Sequence, residues 1–301
     1  MLSILIPVYN FDITKLVETL YFQAEKAKVD FEIIIVDDAS QKEYKIKNKI
    51  LSRRKNVKYI EESVNIGRSK IRNRLTDLAS YPYLLFVDCD SEVNSSNYIK
   101  NYIECCVGDV VVCGGRIYES REPADYKYYL RWLHGIKREQ FSAKVRSSEP
   151  NKSFMTNNFL ISKQIFNKIR FDETITKYGH EDTLFGYELK KKSIIIKHID
   201  NPLIHIGLET NDEFIQKTKE GIKNLKRIMK NNGNEKILIR DITLLHYFKL
   251  FQKFGIAKIL RVLFKKSENK LYKYLVNNRP FLVVFDLYKL GYLCSINYSL
   301  H

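Results

Sequence analysis

The chain has 301 residues, enough to bury a sizeable core in one large domain or two unequal ones. Its 45% hydrophobic and 29% charged residues are the balance of a soluble globular protein, and no run of about 18 apolar residues suggests a membrane span. The formal net charge of +16 asks for an acidic partner, while five cysteines without a CxxC pair or an even framework argue against a disulfide scaffold or structural zinc site and fit a reducing compartment.

The opening "MLSILIPVYN" lacks a basic leader and its apolar run is too short for a signal peptide, so a cytoplasmic protein is expected. "LSILIPV" reads as a buried strand and "DITKLVETLYFQAEKAK" as a helix. "FEIIIVDD" is a second strand, "NVKYIE" a weaker third, "GRSKIRNRLTDLAS" a helix and "YLLFVDCD" the next strand. "SSNYIKNYIECC" reads as helix and "DVVVCGGRI" as strand. Strands alternating with helices imply an α/β fold with a mainly parallel central sheet covered on both faces.

Further on, "FMTNNFLISKQIF" is a polar turn entering an apolar segment, "GHEDTLFGYELKKK" a helix with acids in its first turn, and "SIIIKHI" a strand. "NPLIHIGLE" and a helix around "DEFIQKTKEGIKNLKRIMKNN" follow. After "NNGN" the chain reads as helical, with apolar residues interleaved among lysines. From Lys236 onward twelve Lys or Arg face three acids, a net of +9, against +7 for everything before. This asymmetry suggests two functional parts, residues 1–235 and a basic amphipathic helical extension over 236–301.

Ligands of such sheets bind beyond the carboxyl ends of the strands. Three polar clusters lie there: Tyr9-Asn10, Asp37-Asp38 and Asp88-Cys89-Asp90. The last pair of acids can hold a hard divalent cation that keeps substrate phosphate in its remaining positions, but a solvated turn accounts for it equally well. A DxD aspartyl phosphatase is a third use, weakened because Glu92 stands where that motif has Thr or Val. Asp38 could accept hydrogen bonds from a nucleobase or merely make a turn. Arg68, beside Gly67 at a helix start, could meet phosphate oxygens or solvent. His180, Glu181 and Asp182 open a helix whose acids either cap it or supply a general base. His205 sits between isoleucines, where a core role is the commoner one. Neither GxGxxG nor GxxxxGK[ST] is present, nor a hydrolase triad signature.

Taken in order, "SILIPVYN", "IIIVDDAS", "NIGRSKIRN", "FVDCDS", "FMTNNFLIS" and "GHEDTLFGYEL" resemble the family 2 glycosyltransferases of GT-A fold, over roughly residues 2 to 230. The resemblance implies an inverting transfer from a nucleotide sugar, on family habit a UDP-sugar, to a glycan or lipid-linked acceptor in bacterial surface polysaccharide or glycolipid synthesis. By the same resemblance Pro7 and Tyr9 line the nucleoside pocket, Asp38 reads the base, and Arg68 lies near the nucleotide. Asp88 and Asp90 form the DxD element, with Asp90 the direct ligand of Mn²⁺ or Mg²⁺ and His205 supporting the metal or diphosphate. Asn158 faces the sugar or acceptor, Asp182 is the catalytic base, and Glu181 holds the acceptor. Two departures stand out: Ala39 replaces a common Gly in the VDDGS-like turn, and Thr156-Asn157 replaces the usual Gly-Gly.

The basic extension fits an anionic membrane surface, on the inner face of the cytoplasmic membrane; its apolar residues would equally serve packing on the catalytic domain or a homodimer. A non-catalytic basic protein binding membrane or nucleic acid is the rival class. Acids on the sheet rim suit a phosphate backbone poorly, so no nucleic acid is expected.

Overall fold

The structure is a computed structural model that describes residues 1–175, 179–231, 239 and 241–297. Strand β1 (Leu2–Val8) is apolar at nearly every position because both of its faces are covered. It pairs in parallel with β2 (Phe31–Asp37), from Leu2 opposite Phe31 to Val8 opposite Asp37. Outside β2 lies β3 (Val57–Glu61), also parallel. On the other side β1 pairs with β4 (Tyr83–Val87), ending at Leu5 opposite Phe86.

Past β4 the chain makes β5 (Ser91–Glu92), β6 (Val111–Cys113), β7 (Arg116–Ile117), β8 (Asn158–Ser162), β9 (Lys197–His198) and β10 (Leu203–His205). The main sheet has the order β3-β2-β1-β4-β8-β6-β9, and β8 runs antiparallel to both of its neighbours. A second sheet, β5-β10-β7, has three strands of two or three residues. The sequence expectation of a mainly parallel α/β sheet holds, with β8 as the antiparallel insertion.

Two expected strands differ. "DVVVCGGRI" divides between the sheets at Gly114-Gly115, where Gly115 has φ +92°. A Cβ on Gly114 would stand 2.3 Å from the Tyr102 hydroxyl, so only glycine lets the backbone cross there. In "SIIIKHI" only Lys197–His198 pairs as strand.

Alternation along the strands fills two apolar layers. Leu2, Ile4 and Ile6 of β1 pack on one side with helices α1 (Thr14–Lys26) and, after α2 (Lys42–Lys49) and α3 (Arg68–Leu78), α4 (Tyr98–Ile103). Leu5 of β1 packs on the other side with Ile71 and Leu75 of α3 and with a phenylalanine cluster in which Phe159 stacks on Phe86 and meets Phe154 edge-on.

The described residues form two compact units, the first made of 1–119, 139–175 and 181–207. The second holds α5 (Tyr129–Arg138) and, after α6 (Ala143–Arg146), α7 (Lys163–Lys168) and α8 (Glu181–Lys191) of the first unit, the long α9 (Asn211–Asn231). It continues with α10 (Thr243–Lys253), α11 (Ile256–Asn277) and α12 (Leu282–Asn297). Buried Asn211 ties this unit together: its Oδ1 accepts from Leu130 N, and its Nδ2 donates to the carbonyls of Tyr126 and Val276. The boundary expected at 235/236 lies outside the described residues. Among the described residues no helix is long and apolar enough to cross a membrane.

Candidate active site

The order β3-β2-β1-β4 means that the chain builds outward from β1 to β3 and then returns to the opposite side of β1. Such a reversal opens a crevice at the carboxyl ends of β1 and β4, where an open α/β sheet takes its ligand. Every residue described next belongs to the first unit.

At the end of β1, Pro7 sits in the parallel pairing opposite Val36, and Tyr9 is largely exposed. At the end of β2, buried Asp37 accepts from Ser40 N and from the Tyr59 hydroxyl, which makes it a brace for the turn. Asp38 accepts one backbone N–H at each oxygen, from Ile66 at 2.6 Å and Gly67 at 3.1 Å. Burial raises its pKa, and those two N–H bonds oppose the rise. Its carboxylate thus shapes the turn into α3, with two further lone-pair positions for a ligand.

The acids after β4 have divergent surroundings. Asp88 accepts from Arg72 at 2.7 Å, and Arg116 stands 3.8 Å from its other oxygen. Arg72 is buried, with its guanidinium 5.8 Å from the Phe171 ring centre. Asp90 meets the His205 Nε2 at 3.1 Å, while its own Oδ1 is buried without a hydrogen-bond partner. The contact follows from the small sheet: β5 and β10 run antiparallel with His205 opposite Ser91, and Ile206 N donates to the Asp90 carbonyl. Gly207 is required beside it, since a Cβ there would lie 2.7 Å from the Asp90 Cβ. Burial pushes the Asp90 carboxyl up, but the charges of His205, Arg116 and Arg68 hold it well below the usual carboxylate range.

Glu181 and Asp182 open α8. Glu181 is buried and ion-paired with Arg68 at 3.3 Å; burial pushes its pKa up, but Arg68 and Arg72 bring it down. Asp182 is half-buried, and its Oδ1 accepts from Thr183 N at 2.6 Å. Burial and the neighbouring Glu181 charge raise its pKa to about 6, against the pull of the Thr183 bonds and Arg68. The Arg68 charge lowers the pKa of both Asp90 and Asp182, as the smallest of the influences on each.

The structure thus brings together Asp90 with His205, Arg68 with Glu181, and Asp88 with Arg72. Asn158 is elsewhere, and here the expectation of a sugar-facing residue is corrected. It is fully buried, its Oδ1 accepts from the Tyr98 and Tyr102 hydroxyls, and its Nδ2 donates to the carbonyls of Gly115 and Asn201. No hydrogen-bonding position remains on the carboxamide for a sugar. Sequence reasoning missed Arg72 and Arg116. A signal for Arg72 was present, since "GRSKIRN" puts it one helical turn after Arg68 on the same face.

Carboxylates and arginines thus gather at the carboxyl ends of β1, β2 and β4, the rim where open α/β sheets take their ligands. Residues 3–170 match the family model Glycosyl transferase family 2, and the chain belongs to that family. The match includes Pro7 through Asn158; Glu181, Asp182 and His205 lie beyond it. The chain is 23% identical over 235 residues to a chondroitin synthase of Escherichia coli, covering 68% of this chain and 34% of that protein. It is 25% identical over 231 residues to a hyaluronan synthase of Pasteurella multocida, covering 66% and 24%. The match thus spans only a third to a quarter of those relatives.

Among solved structures, the mannosyltransferase PcManGT of Pyrobaculum calidifontis, in complex with GDP-Man and Mn²⁺, superposes with a TM-score of 0.60 at 12% identity, covering 99% of this chain and 86% of that one. S. aureus TarS 1-349 in complex with UDP-GlcNAc gives 0.53 at 17% identity, covering 99% and 91%. These likenesses establish the GT-A glycosyltransferase fold.

Proposed function

We propose that the protein moves a sugar from a nucleoside diphosphate donor to an acceptor hydroxyl with inversion at the anomeric carbon. The observation that carries this reading is Asp182, raised to about 6 beside an ion-paired Glu181 at the start of α8. A sugar hydroxyl attacks only if its proton has a destination, and a carboxylate with a pKa near 6 is charged at neutral pH yet basic enough to take it. Attack from the face opposite the leaving diphosphate needs one base and no covalent intermediate. Arg68 and Arg116 supply positive charge to the crevice as negative charge grows on the departing diphosphate.

The residues present fit a divalent cation. Asp90 Oδ1 is a buried acceptor without a protein partner, and His205, in its neutral form, adds an imidazole nitrogen beside the same carboxylate. Among the described residues no three His, Cys, Asp or Glu side chains converge, so Asp90 and His205 would hold Mn²⁺ or Mg²⁺ together with substrate oxygens. When bound, the ion neutralises the leaving diphosphate. Asp88 does not suit a phosphatase nucleophile, because its carboxylate is engaged by Arg72 and faces Arg116.

The donor we propose is a UDP-sugar, supported by the shared fold of TarS in complex with UDP-GlcNAc. The acceptor is a glycan or lipid-linked glycan, supported by the kinship with chondroitin and hyaluronan synthases. Pro7, Tyr9 and Asp38 hold the nucleoside. A panel of nucleotide sugars with Mn²⁺, Mg²⁺ or chelator, scored for donor hydrolysis, tests the donor and the metal. Metal-dependent turnover of one UDP-sugar is expected. Turnover of a GDP-sugar alone would move the donor, and none with any sugar would overturn the reading.

A further inference from the structure

The second unit carries a surface that lies outside the candidate active site described above. Between Ile242 and Ser267 the sequence has six cations (Lys249, Lys253, Lys258, Arg261, Lys265 and Lys266) and no acid. Helices α10 and α11 span this stretch, and each already has a buried face. Leu245 and Phe248 of α10, with Ala257 of α11, fill one apolar cluster with Leu225 of α9 and Leu293 of α12; Phe264 of α11 fills a second. The core of the unit is therefore complete without the opposite sides of the two helices.

Those opposite sides are apolar as well. Phe254 is 64% exposed, Ile259 61%, Leu263 57% and Val262 53%. Ile259 and Leu263 stand four apart and share one stripe, and Val262 leads one turn on to Lys266. Phe254 sits at the corner between the helices, where Gly255 with φ +73° turns the chain. Lys258, Lys265 and Lys266 are exposed and make no ion pair among the described residues. An apolar ridge edged by unneutralised lysines is costly in water and has a specific complement: acyl chains beneath anionic headgroups.

We propose that the α10–α11 corner docks on an anionic lipid bilayer, with Phe254, Ile259, Val262 and Leu263 entering the headgroup–acyl boundary and the lysines meeting lipid phosphates. A second copy of the chain is a poorer occupant, because a self-complementary contact would bring two sets of six cations together. Nucleic acid would meet the lysines but leave the aliphatic ridge in water. The surface stands independently of the transfer reaction and can fail without it.

Flotation with phosphatidylcholine vesicles, with and without phosphatidylglycerol, tests the proposal. The protein is expected to float with the anionic vesicles, and Ile259→Glu with Leu263→Glu to lower the partition coefficient about tenfold or more. Lys258→Glu with Lys265→Glu should give a similar loss that moderate salt reproduces in the wild type. All four positions are exposed, so unchanged thermal unfolding serves as the folding control. Absence of wild-type binding to anionic vesicles at low salt overturns the proposal. So does full retention of binding in the Ile259/Leu263 variant, which would reduce the surface to a polycation. Light scattering that shows a dimer lost in that variant, with vesicle binding intact, would assign the ridge to a second copy.

Discussion

Two acid pairs face the crevice, one after β4 and one at the start of α8, and they are built alike but tuned oppositely. In each, one acid is held by an arginine of α3: Asp88 by Arg72 and Glu181 by Arg68. In each, the other acid remains for a task. Asp90 lies among His205, Arg116 and Arg68, and those charges drive it down. Asp182 lies beside Glu181 in partial burial and is driven up to about 6. In the mechanism we propose, the pair after β4 presents the anion that holds the cation and the pair on α8 the proton acceptor. Two residues of one type take different roles because their neighbours differ.

The largest effect that tests this contrast is on the base. Asp182→Asn keeps size and most hydrogen bonding but cannot take a proton, so turnover should fall by about 10²–10⁴-fold with donor affinity unchanged. In the wild type, kcat/KM should drop as pH falls through about 6, where Asp182 becomes protonated, and the asparagine variant should lose that limb. Near-normal transfer by Asp182→Asn together with collapse in Glu181→Gln would exchange the two roles. If both variants retain transfer, the proposed mechanism is wrong.

The clamp comes next. Arg72→Met leaves Asp88 without its 2.7 Å partner, and breaking a buried ion pair costs about 3 kcal/mol of stability. Urea unfolding of Arg72→Met, Asp88→Asn and the double variant measures the coupling. Additive losses would mean that the pair is not a unit. On the β4 side, Asp90→Ala should weaken metal-dependent nucleotide binding by about 10–100-fold or abolish it, read by calorimetry with Mn²⁺. An unchanged affinity would remove Asp90 from the metal site.

The acids of this arrangement were more legible in the sequence than the side chains that surround them. Apolar runs ending in polar residues gave β1, β2 and β4 together with the rim, because a strand covered on both faces is mostly apolar and its polar residues gather at its end. Arg72 and Arg116 were not identified, since their partner Asp88 is reached only through the fold. Asn158 was misplaced for a related reason. Which face of β8 it occupies depends on the antiparallel register that sets it opposite Val87. The three-stranded sheet that carries His205 to Asp90 has strands too short for any periodic signal. Ala39, noted as a departure from a common glycine, has φ +61°, so the left-handed turn is kept with an alanine in it.

The smallest effect separates the two acids of α8 by sign. Glu181 titrates lower in the folded protein than in the unfolded chain, so its charged form stabilises the fold above the unfolded pKa, and that contribution disappears as pH falls through the folded pKa. Glu181→Gln should therefore destabilise the protein at pH 7. Asp182 titrates higher when folded, so its charged form opposes folding. That penalty is absent below the unfolded pKa, grows through the interval up to about 6, and is complete above it. Asp182→Asn should accordingly stabilise the protein at pH 7, on the order of 1 kcal/mol, less than the full shift because part of it belongs to the coupling with Glu181. Denaturant titrations at pH 4 and pH 7 read this directly. The gain from Asp182→Asn should appear only at the higher pH, the mark of an acid whose fitness for proton transfer is held at the expense of the fold. A gain of equal size at both pH values would trace it to packing and would remove the raised pKa from the account of the base.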